Sequence, residues 1–291
     1  MEWASQVTGF MQQLVTRLQP LYDEAEARAI AHFWADERLD VPRHRRFLED
    51  EAEISSKHQQ QFQQEAQALI SGKPVQYVTG RAYFYGEPFI VNAHVLIPRP
   101  ETEELVAWIL ETIPQTRTPQ RILDIGTGSG CIPITLKKQL QNRAELTAYD
   151  ISEEALSCAQ FNAQQLHVTV DFFQQDILQS QAEDHTGWDF IVSNPPYVLE
   201  QEADSLHSNV IQYEPHVALF TPDDDPIMFY KKIGTLGLSW LKAGGYLFFE
   251  VHRDFGEKVK HELEEKGYHD VTLRKDLRGN PRMIQAKKPV A

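Results

Sequence analysis

The chain has 291 residues, of which 42% are hydrophobic, so it is long enough for more than one domain and can bury a core. Its 28 Lys and Arg residues against 42 Asp and Glu residues give a formal net charge of −14, which argues against a protein that grips a nucleic-acid backbone through a basic face. Two cysteines are too few for a disulfide framework, and no apolar run reaches the ~20 residues of a membrane span, so we expect a soluble, cytoplasmic protein without a metal site.

Residues 1–73 predict a small helical domain. Apolar residues recur at helical spacing over 7–18 and again over 27–34. A polar helix is expected over 58–69, and another ahead of it. The dense basic cluster Arg43-His44-Arg45-Arg46 is more typical of a solvated face than of a binding site.

Residues 74–97 predict a β-hairpin linker. The segments 76–78, 82–85 and 89–91 are rich in aromatic and β-branched residues, which favours extended structure. Gly86-Glu87-Pro88 is the expected turn, because glycine and proline punctuate strands.

Residues 98–291 alternate strand-like and helical patterns, which predicts a doubly wound, mostly parallel α/β sheet. A strand ending near Asp124 runs into Gly126-Thr127-Gly128-Ser129-Gly130, whose glycines allow a ligand close to the backbone. A dinucleotide fingerprint would need its third glycine at Cys131. The observed spacing is that of S-adenosylmethionine-dependent methyltransferases, and a carboxylate at Asp124 suits a sulfonium and an ammonium better than a pyrophosphate.

Two further aspartates follow strand-like segments. Asp150 lies twenty residues beyond Gly130 and is the expected partner of the ribose hydroxyls, although it could instead be the N-cap of the next helix. Asp176 follows the strand-like segment 168–173 and could bound the adenine ring, with Ile177 packed near it. A surface-loop aspartate is the alternative for Asp176.

The apolar run 190–192 stops at Asn194-Pro195-Pro196-Tyr197, which places these residues at the carboxyl end of a buried strand. The Asn194 side-chain carbonyl and the Pro195 backbone carbonyl can accept the two N–H bonds of an amide or aromatic amine. This contact aims the nitrogen lone pair and stabilises positive charge on the nitrogen, while Tyr197 offers a face or edge to the planar group. A polar turn with two prolines is the alternative.

A long loop rich in Glu, Asp and His is expected over 198–225, as a lid or a substrate wall. Within it Asp223-Asp224-Asp225 could bind a metal, but a solvated acidic loop is favoured because no nearby pattern completes a ligand set.

Several segments together resemble the signature of the protein-(glutamine-N5) methyltransferases of bacteria and organelles, the HemK/PrmC family. They are Pro74 to Gly80, the block Arg99-Pro100-Glu101-Thr102-Glu103, the glycine loop, 194–197, Tyr213-Glu214-Pro215 and Asp276 to Arg282. The resemblance covers most of the chain from Pro74 onward, and the block that begins at Arg99 is its most specific part.

The resemblance implies methylation, by S-adenosylmethionine, of the glutamine side chain in the Gly-Gly-Gln motif of peptide-chain release factors. It also implies a seven-stranded Rossmann-like sheet and a helical domain that helps to dock the release factor. Carried over by position, the residues that would hold the cofactor are Gly126, Thr127, Gly128, Ser129, Gly130, Asp150, Asp176, Ile177, Asn194, Arg99 and Glu101. The residues that would hold the substrate glutamine are Asn194, Pro195, Pro196 and Tyr197, and those that would act in catalysis are Asn194, Pro195 and Tyr197. The alternatives are a nucleic-acid amino-methyltransferase, acting on adenine N6 or guanine N2, and a catalytically silent protein that binds the cofactor.

Overall fold

A computed structural model describes residues 3–39, 53–116, 118–183 and 186–290 of the protein. The chain divides into two units, one made of Met1–Arg81 with His207–Tyr213 and the other of Ala82–Leu206 with Glu214–Ala291. The basic cluster at 43–46 and the helix expected ahead of 58–69 lie outside the described residues. Within the described ranges, no helix combines the length and the apolar character needed to cross a bilayer.

The secondary structure alternates from the middle of the chain onward. The helices are α1 Val7–Leu18, α2 Glu24–Arg38, α3 Ser56–Ile70, α4 Val75–Thr79, α5 Pro100–Thr112, α6 Cys131–Leu140, α7 Glu153–Gln165, α8 Ser208–Tyr213, α9 His216–Leu219, α10 Met228–Trp240 and α11 Gly256–Glu265. The strands are β1 Arg81–Phe84, β2 Glu87–Ile90, β3 Gln120–Ile125, β4 Ala144–Asp150, β5 Asp171–Gln174, β6 Trp188–Ser193, β7 Val198–Leu199, β8 Phe220–Thr221, β9 Leu241–Glu250, β10 His269–Lys275 and β11 Pro281–Lys287.

The first unit is helical, as the periodicity predicted. The apolar faces of α1, α2 and α3 meet around Trp34, whose ring stacks on Phe10 at 5.3 Å and meets Phe62 edge-on at 4.9 Å. The Trp34 indole N–H donates to Glu65 at 2.6 Å, so the one polar atom of this buried ring has a partner.

The helix α8 belongs to this first unit although it lies far along the chain. The His207 ring stacks on Tyr22 with centroids 5.6 Å apart, and the Tyr213 hydroxyl donates to the Ser71 carbonyl at 3.2 Å. Asn209 also reaches the Tyr22 hydroxyl at 3.4 Å.

The expectation of extended structure over 76–78 is wrong, because these residues lie in the short helix α4. Pro74 precedes the helix with a φ of −52°, and Gly80 follows it in the left-handed region with a φ of 76°. The turn buries Val75 and Tyr77, so burial decides the conformation of a segment whose β-branched and aromatic residues favour a strand.

The second unit contains a seven-stranded sheet in the order β10-β11-β9-β6-β3-β4-β5. The five strands β9, β6, β3, β4 and β5 run parallel to one another. At one end of the sheet, β11 pairs antiparallel with β9, and β10 pairs antiparallel with β11. Along β3, Ile122 packs with α5 and α6 on one face and Leu123 with α10 and α11 on the other. This arrangement confirms the predicted doubly wound, mostly parallel α/β fold.

Three local expectations differ from the structure. The hairpin turns at Tyr85 and Gly86, whose φ values are 53° and 79°, because a two-residue turn with two left-handed residues matches the twist of its strands. The strand expected over 168–173 is the shorter β5. The segment 198–225 is not a continuous loop, since it carries β7, α8, α9 and β8.

Candidate active site

A cavity of about 270 Å³ opens in the second unit beyond the carboxyl ends of β3, β4 and β6. In an open parallel sheet this edge is the usual place for a ligand, because strand ends and helix starts converge there. The predicted site residues that line it are Arg99, Gly126, Thr127, Gly128, Ser129, Asp150, Asp176, Ile177, Asn194, Pro195 and Pro196. Gly130, Glu101 and Tyr197 lie outside its lining.

The glycine loop joins β3 to α6. Gly126, Gly128 and Gly130 all have positive φ, at 77°, 54° and 79°, which explains glycine at each position. A Cβ on Gly126 or Gly128 would meet no atom within 4 Å, whereas one on Gly130 would lie 2.8 Å from Ile134 and 3.0 Å from Ala159. The first two glycines therefore leave room for a ligand, and Gly130 lets α6 pack closely on α7.

Asp150 ends β4 and holds the loop in place. One carboxylate oxygen accepts from the Gly128 N–H at 2.8 Å, and the other accepts from the Ser152 N–H at 3.0 Å. Ser152, not Asp150, is the N-cap of α7, since its hydroxyl accepts from the Ala155 N–H. Burial raises the pKa of Asp150, and the backbone donors oppose that shift.

Asp176 and Ile177 lie next to each other after β5. The Asp176 carboxylate accepts from the Leu178 N–H at 2.9 Å, and Ile177 is buried in the core while it also faces the cavity. Both residues therefore line the cavity, and their contacts with adenine stay a prediction.

Asp124 lies at the end of β3 with 0% of its surface exposed, and no donor among the described residues completes a hydrogen bond to either carboxylate oxygen. Burial raises its pKa to about 7, and the Thr127 hydroxyl opposes that shift although it does not complete a hydrogen bond to the carboxylate. The hydroxyls of Thr127 and Ser129 are also buried without a partner, and both residues line the cavity. Asp124 is not itself among the residues that line the cavity, but its chain neighbour Ile125 is. A buried carboxylate next to the lining, with two unsatisfied hydroxyls in the lining, fits a cationic ligand with N–H donors such as the ammonium group of the predicted cofactor.

Asn194 follows β6 at the cavity wall. Its Nδ2 donates to the Thr102 hydroxyl at 3.3 Å, and no described residue donates to its Oδ1. Tyr197 points elsewhere, since its hydroxyl donates to Glu250 at 3.3 Å and its ring lies 5.9 Å from that of His252. Tyr197 is not among the residues that line the cavity, and its contact with the substrate stays a prediction.

Arg99 lines the cavity and pairs with Glu214, whose carboxylate lies 2.6 Å from the guanidinium. Glu101, two residues on, lies 3.8 Å from Arg278. Within the block that begins at Arg99, Arg99 thus lines the cavity, whereas Glu101 is directed toward the hairpin between β10 and β11.

Glu250 is a residue that the sequence analysis did not single out, and Thr102 appeared there only as a member of the block that begins at Arg99. They are 148 residues apart in the chain, yet the Thr102 hydroxyl donates to Glu250 at 2.6 Å. One signal could have identified Glu250, because an acidic residue closes the apolar run of β9 as Asp124 closes that of β3.

The preference for a solvated acidic loop over a metal site at 223–225 stays a prediction. Asp225 pairs with Lys231 at 2.8 Å, and Asp223 accepts from the Gln201 N–H at 3.2 Å.

Two family models match the chain, namely the PrmC N-terminal domain over residues 11–80 and the Methyltransferase small domain over residues 104–217. The release factor glutamine methyltransferase of Bacteroides thetaiotaomicron is 39% identical over 284 residues, which cover 98% of this chain and 100% of that protein. The chain belongs to the release factor glutamine methyltransferase family. The relative of the same name from Flavobacterium psychrophilum is also 39% identical, over 96% of this chain and 98% of its own length.

A methyltransferase structure from Pyrococcus furiosus shares the fold of this family member, with a TM-score of 0.51 at 17% identity over 81% of this chain and 100% of that one. Family membership identifies S-adenosylmethionine as the cofactor, in agreement with the spacing of the glycine loop. The cavity beside Asp124 and Asp150 is therefore the candidate cofactor site.

Proposed function

We propose that this protein methylates the side-chain amide nitrogen of the glutamine in the Gly-Gly-Gln motif of peptide-chain release factors, and that it acts in the cytoplasm. Asn194 carries the proposal, because this residue lines the cofactor cavity and its Oδ1 has no partner among the described residues. Bound S-adenosylmethionine supplies an electrophilic methyl group at this place.

For this reaction the protein must bind and orient a weak nucleophile. An amide nitrogen reacts poorly because its lone pair is delocalised into the carbonyl. The Asn194 Oδ1 and the backbone carbonyl of Pro195 accept its two N–H bonds, which orients the lone pair and stabilises positive charge on the nitrogen. A strong base is not required, since the alkylated nitrogen loses its proton readily.

The relatives' name supports a release factor as the substrate, and the two acceptors alone would also suit the amine of a nucleobase. The net charge of −14 weighs against the nucleic-acid alternative. The helical unit, which carries the match to the PrmC N-terminal domain, is the proposed docking domain for the release factor.

One assay tests the function. Purified protein and methyl-labelled cofactor are offered a release factor, the same release factor with Gln→Ala in the Gly-Gly-Gln motif, and RNA and DNA in separate reactions. We expect label only in the unmodified release factor. Label in nucleic acid alone, or equal label in both release factors, would reject the proposal.

A further inference from the structure

A buried hydrogen-bond chain lies behind Asn194. The Asn194 Nδ2 donates to the Thr102 Oγ1 at 3.3 Å, and the Thr102 hydroxyl donates to the Glu250 Oε2 at 2.6 Å. Tyr197 donates to the other Glu250 oxygen at 3.3 Å. Thr102 is 3% exposed and Glu250 is 1% exposed, so water does not compete for these bonds.

The direction of every bond in this chain follows from the Glu250 carboxylate. An ionised carboxylate only accepts hydrogen bonds, so Thr102 and Tyr197 must both donate to it. Thr102 has a single hydroxyl proton, which is committed to Glu250. Its oxygen can therefore only accept from Asn194, and a flipped Asn194 would bring two acceptor oxygens together.

We propose that Glu250, acting through Thr102, is a positioning residue that fixes Asn194 with its carbonyl oxygen toward the substrate amide. The inference rests on the proposed function for its catalytic meaning, because Asn194 needs its oxygen, not its NH2, to hold an amide nitrogen. A remote carboxylate would thus decide which end of the asparagine the substrate meets.

Several charged and titratable groups face Glu250 and set its charge state. Burial raises the pKa of Glu250, and Thr102, Arg282 and Tyr197 oppose that shift by favouring the ionised carboxylate. The other groups that act on it or are influenced by it are Glu101, Tyr230 and Cys131. On protonation Glu250 can donate to Thr102, which frees the Thr102 proton for the Asn194 oxygen and reverses the chain.

The test compares Thr102→Val, which keeps the shape but removes the hydroxyl, with Thr102→Ser, which keeps the hydroxyl. Thr112→Val is the matched control, because Thr112 lies on the same helix and its hydroxyl donates to the Trp108 carbonyl at 2.9 Å, away from Asn194 and Glu250 in the hydrogen-bond chain. The single-turnover methylation rate is measured with saturating S-adenosylmethionine and release factor, beside the dissociation constant of S-adenosylhomocysteine.

We expect Thr102→Val to lower the rate about tenfold, the effect of one hydrogen bond, without a change in the dissociation constant. The rates of Thr102→Ser and Thr112→Val should stay within about threefold of the rate of the natural protein, because both variants keep the hydrogen bonds between Asn194, residue 102 and Glu250. A full rate for Thr102→Val, or an equal loss in Thr102→Ser, would overturn the inference.

Glu250→Gln guards against a Thr102 variant that does not fold. It leaves one acceptor oxygen where two donors need one each, so the rate should fall. The decline of the natural enzyme's rate toward acidic pH, where Glu250 becomes protonated, should also disappear in this variant. An unchanged acidic decline in Glu250→Gln would contradict the assignment.

Hydrogen exchange of the Asn194 side-chain amide gives a measurement that needs no substrate. The resonances are assigned by their loss in Asn194→Ala. One Nδ2 proton should be protected in the natural protein and in Thr102→Ser, and it should exchange about tenfold faster in Thr102→Val, as expected for one lost hydrogen bond. An unprotected Nδ2 in the natural protein refutes the inference, whereas a natural protein that methylates no release factor contradicts the proposed function alone.

Discussion

The Arg99 guanidinium lies 2.6 Å from a Glu214 carboxylate whose side chain is 1% exposed, although the two residues are 115 positions apart in the chain. The second oxygen of Glu214 accepts from the Ile97 N–H at 3.4 Å. One buried carboxylate therefore holds the segment that forms the Arg99 side of the cofactor cavity.

Removal of the two partners of this ion pair should have unequal effects on stability. Arg99→Ala leaves a buried carboxylate without its cation and should lower the free energy of unfolding by about 2 kcal/mol, less than for a fully buried pair because Arg99 is partly exposed. Glu214→Gln keeps only one acceptor oxygen for the two donors, but it leaves no unpaired charge buried, so it should cost about 1 kcal/mol. Urea unfolding measures both.

The control for this comparison is Arg28→Ala. Arg28 pairs with Glu24 on the surface of α2, where the side chains are 56% and 64% exposed. Its effect should stay within about 0.5 kcal/mol. A larger loss in Glu214→Gln than in Arg99→Ala would show that the buried charge is not the cause.

Alanine at Gly130 and at Gly128 should separate fold stability from cofactor affinity. At Gly130 the new Cβ would lie 2.8 Å from Ile134 and 3.0 Å from Ala159, so overpacking adds to the strain of positive φ, and we expect a loss of about 2–4 kcal/mol. Gly128→Ala meets open space and should cost only about 1 kcal/mol, but it should weaken cofactor binding. Urea unfolding without cofactor and calorimetry with S-adenosylhomocysteine distinguish the two, and the reverse ranking would refute the division of roles.

Cofactor binding should release a proton below neutral pH, because Asp124 has a pKa of about 7 in the free protein and must ionise beside a cation. The affinity for S-adenosylmethionine should therefore rise with pH up to about 7 and then level off. Calorimetry in buffers of different ionisation enthalpy measures the proton release. In Asp124→Asn we expect weaker binding with that release abolished, and an undiminished proton release would assign it to another group.

Asp124 also affects the stability of the cofactor-free protein. A raised pKa means that the folded state binds the proton more tightly than the unfolded state. Stability from this group is therefore greatest at acidic pH and declines as pH rises toward 7. Relative to the natural protein, Asp124→Asn should gain stability between pH 5 and pH 8, which urea unfolding at several pH values checks.

Asn194→Ala should mainly lower the methylation rate, whereas Asp150→Ala should mainly lower the affinity for the cofactor. Asn194→Ala removes an acceptor for the substrate amide and should raise the activation free energy by about 2.7–4 kcal/mol with little change in cofactor affinity. Asp150→Ala should weaken cofactor binding, because it removes the proposed partner of the ribose and leaves the Gly128 and Ser152 N–H groups without their acceptor. Single-turnover rates and calorimetry on the same preparations are the measurements, and equal affinities in both variants would reject the role of Asp150.

The sequence predicted the sheet and its ligand edge because both depend on local patterns. Apolar runs of strand length ended by Asp124, Asp150 and Asn194 place polar groups at strand ends wherever the strands lie in the sheet. The glycine loop was equally local, since its spacing alone distinguishes it from a dinucleotide site.

The parts that could not be predicted depend on contacts between distant segments. No spacing rule joins Thr102 to Glu250 or Arg99 to Glu214, because these pairs form only when α5 meets β9 and the segment after α8. The same reason explains α4, where burial of Val75 and Tyr77 overrides strand propensity. Tyr197 was assigned to the substrate from its neighbours in the chain, and its bond to Glu250 was not visible from them.

The membership of His207–Tyr213 in the helical unit makes that unit discontinuous in the chain. Exchange of the N-terminal unit between relatives at a single junction near residue 81 would separate Tyr22 and Ser71 from their natural partners His207 and Tyr213. A chimaera that keeps the unit intact must transplant two pieces, so selection on the helical unit also acts on a segment encoded among the residues of the second unit.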